Sequence, residues 1–182
     1  MKFAIALLSV TLIVSCSNST VMSNGASFED GIKALQENNF GLARQILIPI
    51  AEAGNPDAQF ALAIMYKEKT FDESEMVRWL EIAAKNNHRL AQELFATTYA
   101  GGIGHEINTV KAEFWYCSAF HNGQESAGYA LGRMAAATFY SLERRKYFSQ
   151  DGYKHKFCNL EQLLELDPSL SEFSSSFAKS GQ

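Results

Sequence analysis

Apolar residues recur along most of the chain at helical spacing. Between about residues 28 and 137 they return every three or four positions, which is the period of one face of an α-helix. Ala58, Leu62 and Tyr66 form one such stripe. A single amphipathic helix cannot bury its own stripe, so the pattern predicts helices that pack against one another.

Several positions of this pattern recur with the same two offsets, 33 and then 36 residues. The three additional residues of the second step fit into a glycine-rich loop at 101–105, where an insertion is tolerated. Agreement between independent columns predicts helical hairpins stacked as a short α-solenoid, an all-α fold. The columns are a turn position (Gly54, Asn87, Gly123), a small position (Ala58, Ala91, Ala127) and a bulky position in the second helix (Ile46, Trp79, Trp115).

Polar residues mark where the helices begin. Asn55 precedes Pro56, and proline is favoured in the first turn of a helix. Asp72 is followed three residues later by Glu75, which is the spacing of a capping box. Asn108 stands in the same relation to the next apolar stripe. We therefore predict helix starts at these three capping residues.

The repeated residues also match a known family pattern. The segment 51–59 reads Ala-x-x-Gly-Asn-x-x-Ala-Gln, 99–104 reads Tyr-Ala-Gly-Gly-Ile-Gly, and 111–119 reads Lys-Ala-Glu-Phe-Trp and runs on to an alanine. In these features the chain resembles the Sel-like repeat family, a branch of the tetratricopeptide-like α-solenoids, over about residues 28–135. The family pattern has a glycine in the first helix of each unit, and this chain has Ala63 and Ala96 at those positions. The resemblance implies that the protein acts as an adaptor that binds other proteins.

The repeat pattern stops before the end of the chain. We place the solenoid at 28–137, because no tryptophan stands where a fourth copy would need one. Residues 138–168 still show helical pieces and are predicted to form a divergent helical cap. The Ser-rich stretch 169–182 is predicted to be a disordered tail.

The N-terminus has the features of an exported lipoprotein. Lys2 precedes an apolar run from residue 3 to 14 that is too short to span a bilayer comfortably, which is typical of a signal peptide over 1–15. The residues that follow resemble the bacterial lipobox, which makes Cys16 the lipidated first residue of the mature protein. An ordinary secretory signal with a chance cysteine is the alternative. Ser17 favours sorting to the outer membrane, facing the periplasm.

Net charge and composition limit the classes of partner that the protein can bind. Removal of residues 1–15 leaves 15 basic against 20 acidic side chains, a net charge of −5, which argues against nucleic acid as a ligand. Residues 16–27 are mostly small and polar, and we interpret them as a flexible tether between the lipid and the folded domain. The membrane is therefore expected to be contacted through the lipid.

No motif in the sequence indicates catalysis. The histidines have no metal-ligand spacing, and no nucleophile elbow, P-loop or metalloprotease motif is present, so we predict no catalytic residue, metal or cofactor. Cys117 and Cys158 are about one repeat apart, and an oxidising compartment would let them pair. Their alternative role is that of two buried thiols.

A repeat array offers a binding wall along the first helices of its units. Phe60 and Tyr129 are the predicted anchors, because exposed aromatic residues dominate binding at interfaces; the alternative is that they pack against the lead-in helix or the cap. Tetratricopeptide-like geometry predicts two rows of side chains that point outward. One row is Phe60, Glu93 and Tyr129, and the other is Ile64, Thr97 and Arg133.

These features together predict a lipid-anchored envelope protein that acts as an interaction scaffold for an unknown protein partner. One alternative is a cell-envelope enzyme, since secreted cysteine-rich relatives are linked to penicillin binding and hydrolysis. Those relatives carry regularly spaced cysteine pairs in each repeat, and this chain does not. Another alternative is direct binding of peptidoglycan or glycan by wall aromatics.

Overall fold

The computed structural model describes residues 25–70, 72–138, 158 and 160–174, and the regular structure in them is helical, without strands. The predicted all-α fold class is confirmed. None of the helices in these ranges is long and apolar enough to cross a membrane. The α-helices are α1 (Phe28–Gln36), α2 (Phe40–Glu52), α3 (Pro56–Met65), α4 (Glu73–Lys85), α5 (Arg89–Gly101), α6 (Thr109–His121), α7 (Glu125–Thr138) and α8 (Leu160–Leu166). A π-helical turn spans Tyr66–Thr70 and a 3₁₀ helix spans Pro168–Phe173.

The predicted capping residues begin the helices. Asn55, Asp72 and Asn108 are the N-caps of α3, α4 and α6, and each side chain accepts a hydrogen bond from the backbone N–H three residues on. These bonds satisfy donors that have no partner within the helix. The starts of these three helices are therefore encoded locally.

The turn column allows the chain to reverse direction tightly. Gly54, Asn87 and Gly123 all have positive φ angles, of 97°, 63° and 84°. Glycine and asparagine tolerate this left-handed conformation better than other residues. Asn38 has a φ of 57° and makes the equivalent turn between α1 and α2. The lead-in hairpin is thus joined in the same way as the repeats.

The hairpins stack as the repeat columns predict. From α1 to α7, each helix packs against the helix that follows it. Ala58, Ala91 and Ala127, the small column, are 0% exposed, which lets neighbouring helices approach closely. Trp79 and Trp115 are 2% and 0% exposed and fill the core between hairpins. Burial of apolar side chains in this core is the dominant favourable contribution to folding.

The C-terminal end differs from the predicted disordered tail. Pro168–Phe173 forms a 3₁₀ helix that begins at the capping side chain of Asp167. Leu170 and Phe173, three residues apart, lie on one side of it and are 0% and 4% exposed. The Phe173 ring lies 5.3 Å from the Trp115 ring. The prediction of disorder was therefore wrong for residues 169–174. Burial of two apolar side chains holds this Ser-rich segment in place.

Some predicted segments lie outside the described residues. These are the signal peptide at 1–15, Cys16 with most of the tether, the cap between 139 and 157, and the tail from 175 to 182. In the described part of the cap, α8 packs against α6.

Candidate interaction surface

The predicted wall runs across the first helices of three successive units, α3, α5 and α7. Thr97 and Arg133 are exposed, and Tyr129 is 76% exposed. Phe60, Ile64 and Glu93 are half-buried. We call these six residues the wall. Its side chains differ in how far they are already occupied by contacts within the protein.

Phe60 is not the open anchor that the sequence predicted. Its ring is stacked on that of His88, with 4.3 Å between the centroids and 23° between the planes. His88 is the N-cap of α5, so the contact joins α3 to the next repeat unit. Part of the apolar face of Phe60 is therefore committed to the stack. The sequence did not indicate this stack, because the equivalent N-cap of α3 is Asn55, which has no ring.

His88 is held in place from two sides. Its Nδ1 accepts a hydrogen bond from the backbone N–H of Ala91 at 3.1 Å, and its Nε2 lies 3.4 Å from Oδ1 of Asp57. Because Nδ1 accepts, the neutral ring carries its proton on Nε2. Burial lowers the pKa of His88, and the nearby Asp57 carboxylate opposes this effect. The arrangement therefore favours the neutral ring as the cap.

Glu93 makes the equivalent contact one unit further along. Its Oε2 accepts a hydrogen bond from Nε2 of Gln124 at 2.7 Å. Gln124 directly precedes α7, as His88 precedes α5. The contact spans 31 residues, three more than from Phe60 to His88, which is the length of the inserted loop. Phe60 and Glu93 are thus each contacted by the residue that directly precedes the first helix of the next unit.

Thr97 links the wall to the second layer of helices. Its hydroxyl donates to the backbone carbonyl of Glu93 at 3.0 Å, and it lies 3.0 Å from the Tyr116 hydroxyl. With its own proton already used, Thr97 accepts from Tyr116. This chain of hydrogen bonds fixes the α5 part of the wall relative to α6.

Tyr129 is the most exposed large apolar side chain on the wall, at 76%. It lies on α7, with Glu125 four residues before it and Arg133 four residues after it. Residues four apart share a helix face, so these three side chains form one stripe. Both charged neighbours are exposed as well. The stripe presents, in order along α7, a negative, an aromatic and a positive group.

Two buried glutamines lie beneath the wall and tie the units together. Gln59, 1% exposed, donates from Nε2 to the Ala51 carbonyl at 2.8 Å and accepts from Nδ2 of Asn86 at 2.9 Å. Gln92 repeats both contacts one unit on, with Ala84 and Asn122. Each glutamine therefore connects the helix that precedes its own with the C-terminal end of the helix that follows its own. The repeat pattern in the sequence included Gln59 but did not indicate its partner Asn86.

Cys117 and Cys158 are joined by a disulfide. Cys117 lies on α6 and is 0% exposed, and the two Cα atoms are 5.3 Å apart, which is ordinary for such a bond. Cys158 precedes α8, so the bond attaches the C-terminal segment to the last complete hairpin. Neither cysteine belongs to the wall, and the position of the bond gives it a structural role.

The described residues hold no cluster of histidine, cysteine or acidic side chains that could bind a metal ion. The histidines in them have local roles. His88 caps α5, His121 lies 2.8 Å from the carbonyl of Cys117, and His105 is stacked on Tyr99 with 3.9 Å between ring centroids.

Comparison with solved structures finds a similar fold. A Sel1 repeat protein from Oxalobacter formigenes superposes with a TM-score of 0.56 over 86% of this chain. The chain has a Sel1 repeat fold. Sequence identity is 19%, and the chain spans 56% of the length of that solved protein, so the likeness concerns the fold. The predicted Sel-like solenoid is confirmed at this level. Comparison with protein-family models and with curated proteins found no match.

Proposed function

We propose that the protein is a lipid-anchored adaptor of the bacterial cell envelope that holds a partner protein against the wall. Cys16 would carry the lipid, and residues 16–27 would give the solenoid reach from the outer membrane into the periplasm. The Sel1 repeat fold supports this role, because solenoids of stacked hairpins present extended surfaces that other proteins bind.

The exposure of Tyr129 carries the proposal. A tyrosine contributes a large contact area at a low cost in conformational entropy, and such residues dominate the binding energy of interfaces. Tyr129 is 76% exposed, while the units beneath it are fixed by buried alanines, tryptophans and glutamines. A rigid support with one exposed aromatic anchor is suited to binding. The proposal assigns no catalytic residue and no cofactor.

Crosslinking in native envelopes tests the proposal, followed by affinity purification of the protein expressed from its full chain. Wild type is compared with Tyr129→Ala and with Leu42→Ala as a matched control. Leu42 is 42% exposed on α2, so its truncation removes apolar surface away from the wall.

We expect one defined protein to be recovered with wild type and with the control. Its recovery should fall about tenfold with Tyr129→Ala, the effect of losing an interface anchor. Equal recovery from all three forms would contradict the proposed wall.

A further inference from the structure

The contacts along the wall indicate which chemistry the partner presents. The first two units show a regular arrangement, in which a wall residue is contacted by the side chain that precedes the next first helix. Phe60 is met by the imidazole of His88, and Glu93 by the amide of Gln124. The face of an aromatic ring attracts a cation, and a carboxylate accepts hydrogen bonds from charged donors.

Tyr129 occupies the same position in the third unit and remains 76% exposed. We propose that a basic side chain of the partner, an arginine or lysine, lies on the Tyr129 ring and pairs with the acidic groups beside it. This inference rests on the proposed adaptor function and names the partner chemistry of the same wall.

The orientation of Glu93 supports the assignment. Arg89 lies one turn earlier on α5, yet these two side chains form no ion pair within 4.0 Å in the described residues. The Glu93 carboxylate instead turns towards α7, where Gln124 holds its Oε2 at 2.7 Å. No described donor contacts Oε1. A carboxylate held at one oxygen can accept a second hydrogen bond without reorganising.

The charges on α7 add a direction. Glu125 stands at the start of the helix, beside Gln124, and Arg133 lies two turns further on. A basic group of the partner is therefore attracted towards the Glu125 end of the stripe, beside Gln124, which holds Glu93 of α5. An acidic group of the partner is favoured near Arg133. Charge complementarity of this kind sets the orientation of a bound segment as well as its affinity.

A phage-displayed library of random twelve-residue peptides tests the inference without knowledge of the natural partner. The target is the protein produced from its full chain and held in detergent micelles. Selected peptides are measured against wild type, Tyr129→Ala, Tyr129→Phe and Glu93→Gln. Glu106→Gln is the matched control, because Glu106 is an exposed acid on the loop after α5, away from the wall.

Selected peptides should be enriched in arginine or lysine, and their binding should weaken with added salt. We expect Tyr129→Ala to reduce affinity about tenfold, within the range of a cation–π contact, and Glu93→Gln about threefold. Tyr129→Phe keeps the ring and should retain binding, and Glu106→Gln should have no effect. Circular dichroism of each variant verifies that the fold is intact.

Two results would overturn the inference. One is a selection without basic residues, or without any peptide that depends on Tyr129. The other is unchanged affinity in Glu93→Gln. These failures differ from failure of the adaptor role, because a partner crosslinked in envelopes through Tyr129 would still support that role. Conversely, basic peptides that bind in vitro without a Tyr129-dependent partner in envelopes would support only the chemistry of the site.

Discussion

Asn122 donates a hydrogen bond from its Nδ2 to Oε1 of Gln92 at 2.7 Å, although the two residues are 30 positions apart. Gln92 is 0% exposed and also donates to the Ala84 carbonyl. The contact therefore connects three helices through one buried side chain. Because the same arrangement occurs at Gln59, polar contacts repeat with the units just as the apolar columns do.

Replacement of Gln92 by leucine should destabilise the protein far more than its change in volume implies. The variant removes the side-chain donor of the Ala84 carbonyl, which keeps its bond from the backbone N–H of Asn87, and the acceptor of the half-buried Asn122 amide. The cost should be about 1 to 3 kcal/mol in the free energy of unfolding. Urea denaturation followed by circular dichroism measures it. Gln45→Leu, at an exposed position of α2, is the control and should change stability by less than about 0.5 kcal/mol. Equal effects of the two substitutions would refute the bridging role.

The cap of α5 should make stability depend on pH. Burial lowers the pKa of His88 below its usual 6.5 in the folded protein. The unfolded chain therefore takes up a proton first as the pH falls, and the contribution of the neutral cap, complete above pH 6.5, is lost as the pH falls through the folded pKa. His88→Asn keeps a capping oxygen that does not titrate.

Urea denaturation at pH 7.5 and pH 5 compares the two forms. The loss of unfolding free energy on acidification should be smaller in His88→Asn than in wild type, because the carboxylates that also titrate are common to both. An identical loss in the two proteins would show that His88 does not act as a neutral cap.

The sequence was sufficient for the helices and their order. Capping side chains and left-handed turn residues act locally, so Asn55, Asp72 and Gly54 could be interpreted from their neighbours alone. The burial of Trp79 and Trp115 followed from the repeat offsets. These features depend on spacing along the chain, which the sequence displays directly.

The contacts between units could not be predicted in the same way. Stacking of Phe60 on His88 depends on how closely α3 approaches the start of α5, and that distance follows from the packing of the whole hairpin. Burial of Phe173 against Trp115 required the chain to return from residue 158 onwards, a path that no repeat column encodes. The sequence therefore indicated which helices carry the six wall residues, while the contacts of their side chains within the protein could not be predicted.

The disulfide should stabilise the C-terminal segment against unfolding. Cys117 and Cys158 are 41 residues apart, and closure of a loop of this length restricts the unfolded chain by about 4 kcal/mol in the chain-entropy description. Dithiothreitol should lower the urea midpoint of wild type and leave a Cys117→Ser and Cys158→Ser double variant unchanged. If both thiols of the oxidised wild-type protein react with a labelling reagent, the bond does not form.

Lipidation at Cys16 should decide where the protein resides. The wild-type protein is expected in the membrane fraction, and Cys16→Ser should release it or leave it as an unprocessed precursor of higher apparent mass. Fractionation with immunoblotting, together with labelling by a radioactive or clickable fatty acid, distinguishes these forms. Thr20→Ala, a change in the predicted tether that keeps the residues around the cysteine, serves as a control. Lipid labelling that persists in Cys16→Ser would exclude this residue as the site.

Site-specific photocrosslinking in living cells tests the central claim that the wall binds a partner through α7. A photoreactive phenylalanine analogue is placed at Tyr129 in one strain and at Leu42 in another, since both positions are exposed. We expect a discrete crosslinked species of higher mass at position 129 after irradiation, and none at position 42. The absence of an adduct at position 129, or the same adducts at both positions, would contradict it.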